Sequence, residues 1–438
     1  MELSVNDRNL NDWLGHLESL HPKGQGGIEL GLERVARVKA ALGQAQHCPV
    51  IVVGGTNGKG STCAFLDAIY TAAGYRVGCY TSPHLLAYNE RVRVGAAPID
   101  DAALCAAFAR VEAARQSAGV QGAEVALTYF EFGTLAAWEV FAAARVEVAI
   151  LEVGLGGRLD AVNVYDADCA VVTGIALDHT DWLGDTRDAI GFEKAGIFRA
   201  GKPALCADPE PPASLVAHAQ AIGAHLSLIG RDYAAEPEAA GWRWRGPRGL
   251  SDAVLPRPGL PGAWQLNNAA TVRYVVELLA ERLPVRAEAF AAGLSRARLS
   301  GRFQVLPGRP TVILDVAHNP QAAAGLVANL AAQTGFGRTL MVVGMLADKD
   351  IEGALAALAC AVDAWFLARL DVPRGASAER LAEALQAVDA RGSVTRCASP
   401  AEALERAAKE AGENDRIVVC GSFYTVAAAL GAQQSELR

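Results

Sequence analysis

Short apolar runs alternate with helical stretches along this chain, and that alternation limits the fold more than any other feature. Runs at 50–53, 76–81, 147–153, 169–175 and 203–206 read as strands; stretches at 59–73, 101–117, 129–144, 187–198 and 213–222 read as helices. Strands that rejoin one sheet across a helix must lie parallel, so the pattern predicts an α/β domain. Between 230 and 262 the texture changes. "WRWRGPRGLSDAVLPRPGLPG" is rich in Pro, Gly and Trp and predicts short antiparallel strands and turns. Helix resumes at 267–282. Beyond "LSGRFQVLPGRPTVILDVAHNP" the alternation restarts, with strands expected at 311–316, 339–344, 364–369, 393–397 and 416–420. A boundary near 298 follows, dividing a larger domain, 1–298, from a smaller one, 299–438.

Bulk properties agree and exclude several classes. The 438 residues are too many for one ordinary core. A hydrophobic share of 51% with 20% charged residues suits a globular protein with ample interior. The net charge of −8 argues against a general nucleic-acid binder, yet leaves room for an anionic small ligand held by local donors. Nine cysteines stand singly with no C-x-x-C pair, the pattern of reduced thiols in the cytoplasm. The start, "MELSVNDRNLNDWLGHL", lacks the apolar stretch of a signal peptide. No uncharged apolar run reaches the roughly 18 residues of a membrane span.

The first chemistry-bearing stretch is "VIVVGGTNGKGST", Val50 to Thr62. A strand ends at Gly54-Gly55, which permit unusual backbone angles. The amides of Asn57, Gly58, Lys59 and Gly60 can then turn inward around phosphate oxygens at a helix N-terminus. Lys59 would reach the outer phosphates, and Ser61 or Thr62 would help with phosphate or Mg²⁺. Gly60 departs from the common P-loop text, in which Ser or Thr follows the Lys directly. A plain strand-to-helix turn is the alternative.

Further polar groups sit at the ends of expected strands, where ligands collect in parallel sheets. "VEVAILEVGLGGRLDAVN" ends an apolar run in Glu152 and continues into a glycine loop carrying Arg158 and Asp160. "TGIALDHTDWLGDT" brings Asp178, His179, Thr180 and Asp181 after the neighbouring strand. "YTSPHL" places Ser82 at another strand end, as either a cation ligand or the first residue of a Ser-Pro turn. In "TYFEFGTL", Thr128 and Glu131 have capping-box spacing, and Phe130 and Phe132 read equally well as core. Lys194 in "FEKAGIFR" reads on its own as a surface lysine. In the second domain Asp315 and His318 follow a strand, and Arg302 lies in the hinge between domains.

Together "GGTNGKGST", "TSPHL", "TYFEFGTL", "ILEVGLGGRLDAVN", "IALDHTDWLG", "EKAGIF", "GRFQ", "DVAHNP", "GMLADKD" and "VCGSFYTV" resemble the folylpolyglutamate synthase and dihydrofolate synthase family of the Mur ligase superfamily. The resemblance runs from residue 28 to 427, is nearest to the bacterial bifunctional enzymes, and includes Gly60. It implies a P-loop ATPase domain with a mostly parallel sheet plus a smaller C-terminal Rossmann-like α/β domain. The implied reaction is ATP-dependent: a carboxylate is phosphorylated to an acyl phosphate and attacked by the amine of L-glutamate. Dihydropteroate would give dihydrofolate, and tetrahydrofolates would give polyglutamates. ATP is then co-substrate and Mg²⁺ the cofactor at two sites, with K⁺ a candidate further ion.

The resemblance also implies residue roles. Asn57, Gly58, Lys59, Gly60, Ser61, Asn268, Arg302 and Asp315 would bind ATP. Ser82, Glu152, His179 and Lys194, the last as a carbamylated lysine, would hold metal, and Lys59, His179 and Lys194 would be catalytic. Ile28, Glu29, Leu30, Thr128, Tyr129, Phe130, Glu131 and Arg158 would form the pteroate or folate surface. Glu29 departs from the Asp of relatives but keeps the carboxylate. His318 matches a conspicuous motif position. Glutamate is expected in the second domain or between the two. A cytoplasmic monomer, with small molecules as partners and neither nucleic acid nor membrane, completes the expectation.

Two rivals weaken on the same residues. A peptidoglycan Mur ligase carries a UDP-binding domain before its ATP domain, and a loop starting at Gly54 leaves too little chain for one. A regulatory GTPase needs an N-K-x-D motif, and none occurs. An enzyme of the same family with only one of the two activities stays open.

Overall fold

A computed structural model describes residues 8–22, 27–43, 45–119 and 124–436. The chain divides into two compact units: residues up to Arg257 with Asn267–Ala297, and Pro258–Leu266 with Arg298 onward.

The first unit is built on an eight-stranded sheet. Its strands are β1 (Val50–Gly54), β2 (Val77–Tyr80), β3 (Val92–Val94), β4 (Ala97–Pro98), β5 (Val148–Glu152), β6 (Cys169–Val172), β7 (Pro203–Cys206) and β8 (His225–Leu228), in the order β4-β3-β2-β5-β1-β6-β7-β8. All pairings are parallel except β2 with β3 and β3 with β4. Strands β1, β5 and β6 are buried throughout, which explains their unbroken apolar text. Register aligns their ends: Val53 pairs with Glu152 on one side and with Val171 on the other. The loops after β1, β5 and β6 therefore leave the same edge side by side.

The expected strand 169–175 ends at Val172. Thr173 still donates its N–H to the Gly54 carbonyl at 2.9 Å, and its hydroxyl donates to the Asn57 carbonyl at 2.7 Å, so its side chain braces the glycine loop. The Pro- and Trp-rich segment forms an antiparallel hairpin, β9 (Ala234–Glu238) with β10 (Gly241–Arg245), as its texture predicts. Trp242 and Trp244 are buried, and the Trp244 indole donates to the Ala270 carbonyl at 3.1 Å.

The second unit carries six strands: β11 (Gln304–Leu306), β12 (Thr311–Leu314), β13 (Thr339–Val343), β14 (Ala364–Ala368), β15 (Ser393–Cys397) and β16 (Arg416–Cys420). Their order is β11-β12-β16-β13-β14-β15, parallel except for β11 with β12. The five parallel strands fall where the alternation predicts, while the short edge strand β11 was not foreseen. Four helices here begin at capping side chains, Asn319, Asp350, Ser377 and Ser399, each accepting a backbone N–H of the first turn. Both units are thus α/β layers on mostly parallel sheets.

Candidate active site

The glycine loop Gly54–Gly58 joins β1 to the helix Lys59–Ala72. Gly55 has φ +140°, and a Cβ there would stand 1.8 Å from Thr173 Oγ1, so no larger residue fits. Thr56 fixes the loop to the segment after β6: its N–H donates to the Gly174 carbonyl at 2.7 Å and its hydroxyl to that of Ala176 at 3.1 Å. Asn268 also lies against the loop, since a Cβ on Gly58 would meet its Oδ1 at 3.1 Å. Asn57, Gly58, Lys59 and Asn268 thus lie together at one loop, and Ser61 is buried in the first helical turn. The Lys59 ammonium donates to the carbonyls of Gly55 at 3.0 Å and Thr56 at 3.2 Å.

Glu152 ends β5 and is buried, and the Ser82 N–H donates to its Oε2 at 3.1 Å. A hydroxyl-bearing residue and a carboxylate from adjacent strands therefore meet beside the loop. His179 follows β6 in the left-handed conformation, φ +53°, with its N–H donating to Asp178 Oδ1 at 2.9 Å. Lys194 ends the helix Arg187–Ala195 and is buried, contrary to the plain reading of a surface lysine. Burial, then the charge of Lys59, push its pKa down to about 7, against the opposing pull of Asp178 and Asp160.

Asp160 is buried in the glycine loop after β5. Its carboxylate accepts from the Leu155 N–H at 2.8 Å and the Val162 N–H at 3.0 Å. Burial pushes its pKa up to about 7 despite these bonds and the nearby Lys59 charge. Sequence reading noted Asp160 without giving it a role. Its burial beside two lysines depends on distant packing and leaves no local signal.

The donors suit Mg²⁺. Among the described residues no three His, Cys, Asp or Glu side chains form a ready-made cation cage. Mg²⁺ is usually held by one or two carboxylates together with phosphates and water, and the buried Glu152 carboxylate beside the glycine loop is of that kind.

A second cluster adjoins the first. Thr128 and Glu131 form the capping box their spacing predicts: Thr128 Oγ1 accepts the Glu131 N–H at 3.2 Å, and Glu131 Oε2 accepts the Thr128 N–H at 2.8 Å. Phe130 packs over Gly154, where a Cβ would stand 2.8 Å from its ring. Its ring also lies 5.7 Å from that of Tyr80. The segment Ile28–Leu30 joins this cluster through its neighbours. The Gly31 N–H donates to the Leu159 carbonyl at 3.2 Å, and Arg34 bonds both Glu29 and Glu131. Tyr129 is buried at the helix start. Arg158 instead lies more exposed, paired with Glu193 at 2.9 Å.

In the second unit Asp315 directly follows β12. It accepts the Phe303 N–H at 2.8 Å and the Ala317 N–H at 2.9 Å, and burial raises its pKa. The Arg302 guanidinium lies over the Phe423 ring at 5.1 Å, and His318 Nδ1 is 2.8 Å from the Val316 carbonyl oxygen.

Comparison with known proteins agrees with this geometry. Residues 301–423 match the family described as Mur ligase, glutamate ligase domain. The dihydrofolate synthase/folylpolyglutamate synthase of Escherichia coli K12 is 48% identical over 419 residues, 95% of this chain and 94% of the relative. The structure of E. coli FolC in complex with DHPP and ADP superposes with a TM-score of 0.91 at 45% identity, covering 100% of both chains. A bifunctional folylpolyglutamate synthase/dihydrofolate synthase with Mn, AMPPNP and L-glutamate bound gives a TM-score of 0.89 at 44% identity, over 99% of this chain and 100% of that one. With such identity sustained along almost the whole length, the chain belongs to the dihydrofolate synthase/folylpolyglutamate synthase family.

Proposed function

We propose that the edge of the first sheet binds ATP and uses it to activate a pterin-bearing carboxylate, which then takes the amine of L-glutamate. The chain is an ATP-dependent acid–amino-acid ligase. Dihydropteroate gives dihydrofolate, and tetrahydrofolates give γ-linked polyglutamates. The observation that carries the reading is one buried edge on which a glycine loop with Lys59 adjoins the carboxylate of Glu152 and the depressed amine of Lys194.

Two anions must meet for this reaction, a carboxylate and a triphosphate. Lys59 offsets their repulsion, and the amides of Asn57, Gly58 and Gly60 with the Ser61 hydroxyl hold phosphate oxygens. Asn268, from the helix against the loop, contacts the nucleotide; Arg302 and Asp315 are further proposed nucleotide-binding residues. Ser82, Glu152, His179 and Lys194 would hold Mg²⁺ at two sites. When bound, Mg²⁺ neutralises charge on the transferring phosphoryl group. A lysine with a pKa near 7 is substantially neutral at physiological pH, so Lys194 can add CO₂ and become a carbamate oxygen ligand. Phe130 offers a flat apolar ring to the pterin, with Ile28–Leu30, Thr128–Glu131 and Arg158 around it. We assign ATP binding to residues 1–298 and glutamate ligation to 299–438. K⁺ as a further ion and a cytoplasmic monomer belong to the same reading; ion titration and sedimentation check them.

The test is phosphate release from ATP and Mg²⁺ with L-glutamate, comparing 7,8-dihydropteroate with tetrahydrofolate and weighing products by mass spectrometry. Turnover of both acceptors is expected. Turnover of one narrows the enzyme to a single activity, and turnover of neither overturns the acceptor assignment.

A further inference from the structure

Arg34 lies in the first turn of the helix Glu33–Leu42, and no role assigned above uses it. Its guanidinium nevertheless joins two segments of the proposed acceptor surface. One Nη donates to the Glu29 carboxylate; the other donates to the Glu29 carbonyl at 2.9 Å and to Glu131 Oε1 at 2.9 Å. Nε reaches Glu131 Oε2 at 3.4 Å. Glu131 is buried and its Oε2 already accepts the Thr128 N–H, so the guanidinium grips a carboxylate that cannot swing. Glu29 is held from a second side by His21, whose Nε2 lies 3.2 Å from Glu29 Oε2. Arg34 and Glu131 are 97 positions apart in sequence, so this bond fixes tertiary placement rather than local structure.

From this geometry we infer that Arg34 is a positioning residue for the acceptor: it clamps the segment Ile28–Leu30 against the N-terminus of the helix carrying Phe130. The inference rests on the reading of Ile28–Leu30 and Thr128–Glu131 as the acceptor surface. It also recasts Glu29 and Glu131 as the two jaws of the clamp rather than groups that grip the pterin. A planar fork suits this task and an ammonium does not: Arg34 makes its bonds in two directions at once, to a backbone carbonyl and to two carboxylates.

Steady-state kinetics of Arg34→Met and Arg34→Lys test it, with Phe130→Ala measured alongside. Arg34→Met is expected to raise KM for 7,8-dihydropteroate about tenfold while leaving kcat and KM for ATP within about twofold, the mark of lost ground-state placement. Arg34→Lys is expected to recover little. In the double variant Arg34→Met/Glu131→Gln the rise should be no larger than in the worse single variant, because both cut one clamp. Glu29→Gln, on a non-helical segment, gives the same reading if Arg34→Met folds poorly; ADP affinity serves as the fold control. An unchanged acceptor KM in Arg34→Met and Glu29→Gln, with a raised KM in Phe130→Ala, overturns the clamp and leaves the acceptor surface standing. An unchanged KM in all three overturns both.

Discussion

The two sheets end alike and do different things at their ends. Each is mostly parallel, and each delivers a carboxylate just where ligands collect. In the first unit Glu152 and Asp160 share their edge with two lysines, Lys59 and Lys194, and both Asp160 and Lys194 have pKa values pushed to about 7 by burial. In the second unit Asp315, like Asp160, accepts two backbone N–H groups, those of Phe303 and Ala317. Among the described residues no buried lysine stands beside it, and the nearby charge is that of Arg302. A strand-end acid is therefore no sign of chemistry by itself. What marks the first edge is the cost of its charges, buried close together where a protein built only for stability would place apolar groups.

Substitutions at the two edges should separate accordingly. The largest effect is expected for Lys59→Ala, which should lower turnover about 10³-fold or more with the melting temperature nearly unchanged. Phosphate release and a thermal melt measure both, and retained turnover would reduce the first edge to the status of the second. Glu152→Gln keeps an acceptor for the Ser82 N–H but loses the charge, and a drop of about 10²-fold in kcat at saturating Mg²⁺ is expected. Thr173→Val removes the hydroxyl that ties the glycine loop to β6. A KM for ATP raised about tenfold, with about 1 kcal/mol lost in denaturant melts, should follow.

The second edge should respond in stability first. Asp315→Ala strands two backbone N–H groups and is expected to cost about 2 kcal/mol, with a weaker ATP affinity beside it. Weaker ATP affinity with no loss of stability would make the two edges equivalent. The smallest effect concerns pH. Because the folded protein raises the Asp315 pKa above its ordinary 3.8, native Asp315 keeps a proton that the unfolded chain has released. Its contribution to stability thus falls as pH rises above 3.8 through the folded pKa. Asp315→Asn should flatten that part of the stability–pH curve.

The fold was largely legible because its central strands are buried on both faces and stop at glycines or polar clusters. The shortest strands were not: β3 and β4 span three and two residues, too few for any periodicity, whereas the five-residue edge strand β15 was. At the site, the glycine loop and Glu152 could be read from local text. Lys194 could not, since nothing within "FEKAGIFR" says that it is buried. Thr173 reads as the tail of a strand until the loop it braces is in place. Arg34 and Glu131 stand 97 positions apart, and a bond between them belongs to the packing of three segments.

The lysine of the glycine loop is already occupied, holding the carbonyls of Gly55 and Thr56. Any incoming ligand must therefore bid against two neutral acceptors. A hydroxyl or a ketone would trade like for like and gain little. A phosphate oxygen brings a full negative charge to face the ammonium, a Coulomb attraction that a neutral carbonyl lacks. The loop thus works as a threshold detector, set by its own carbonyls, that answers to ligand charge before ligand shape.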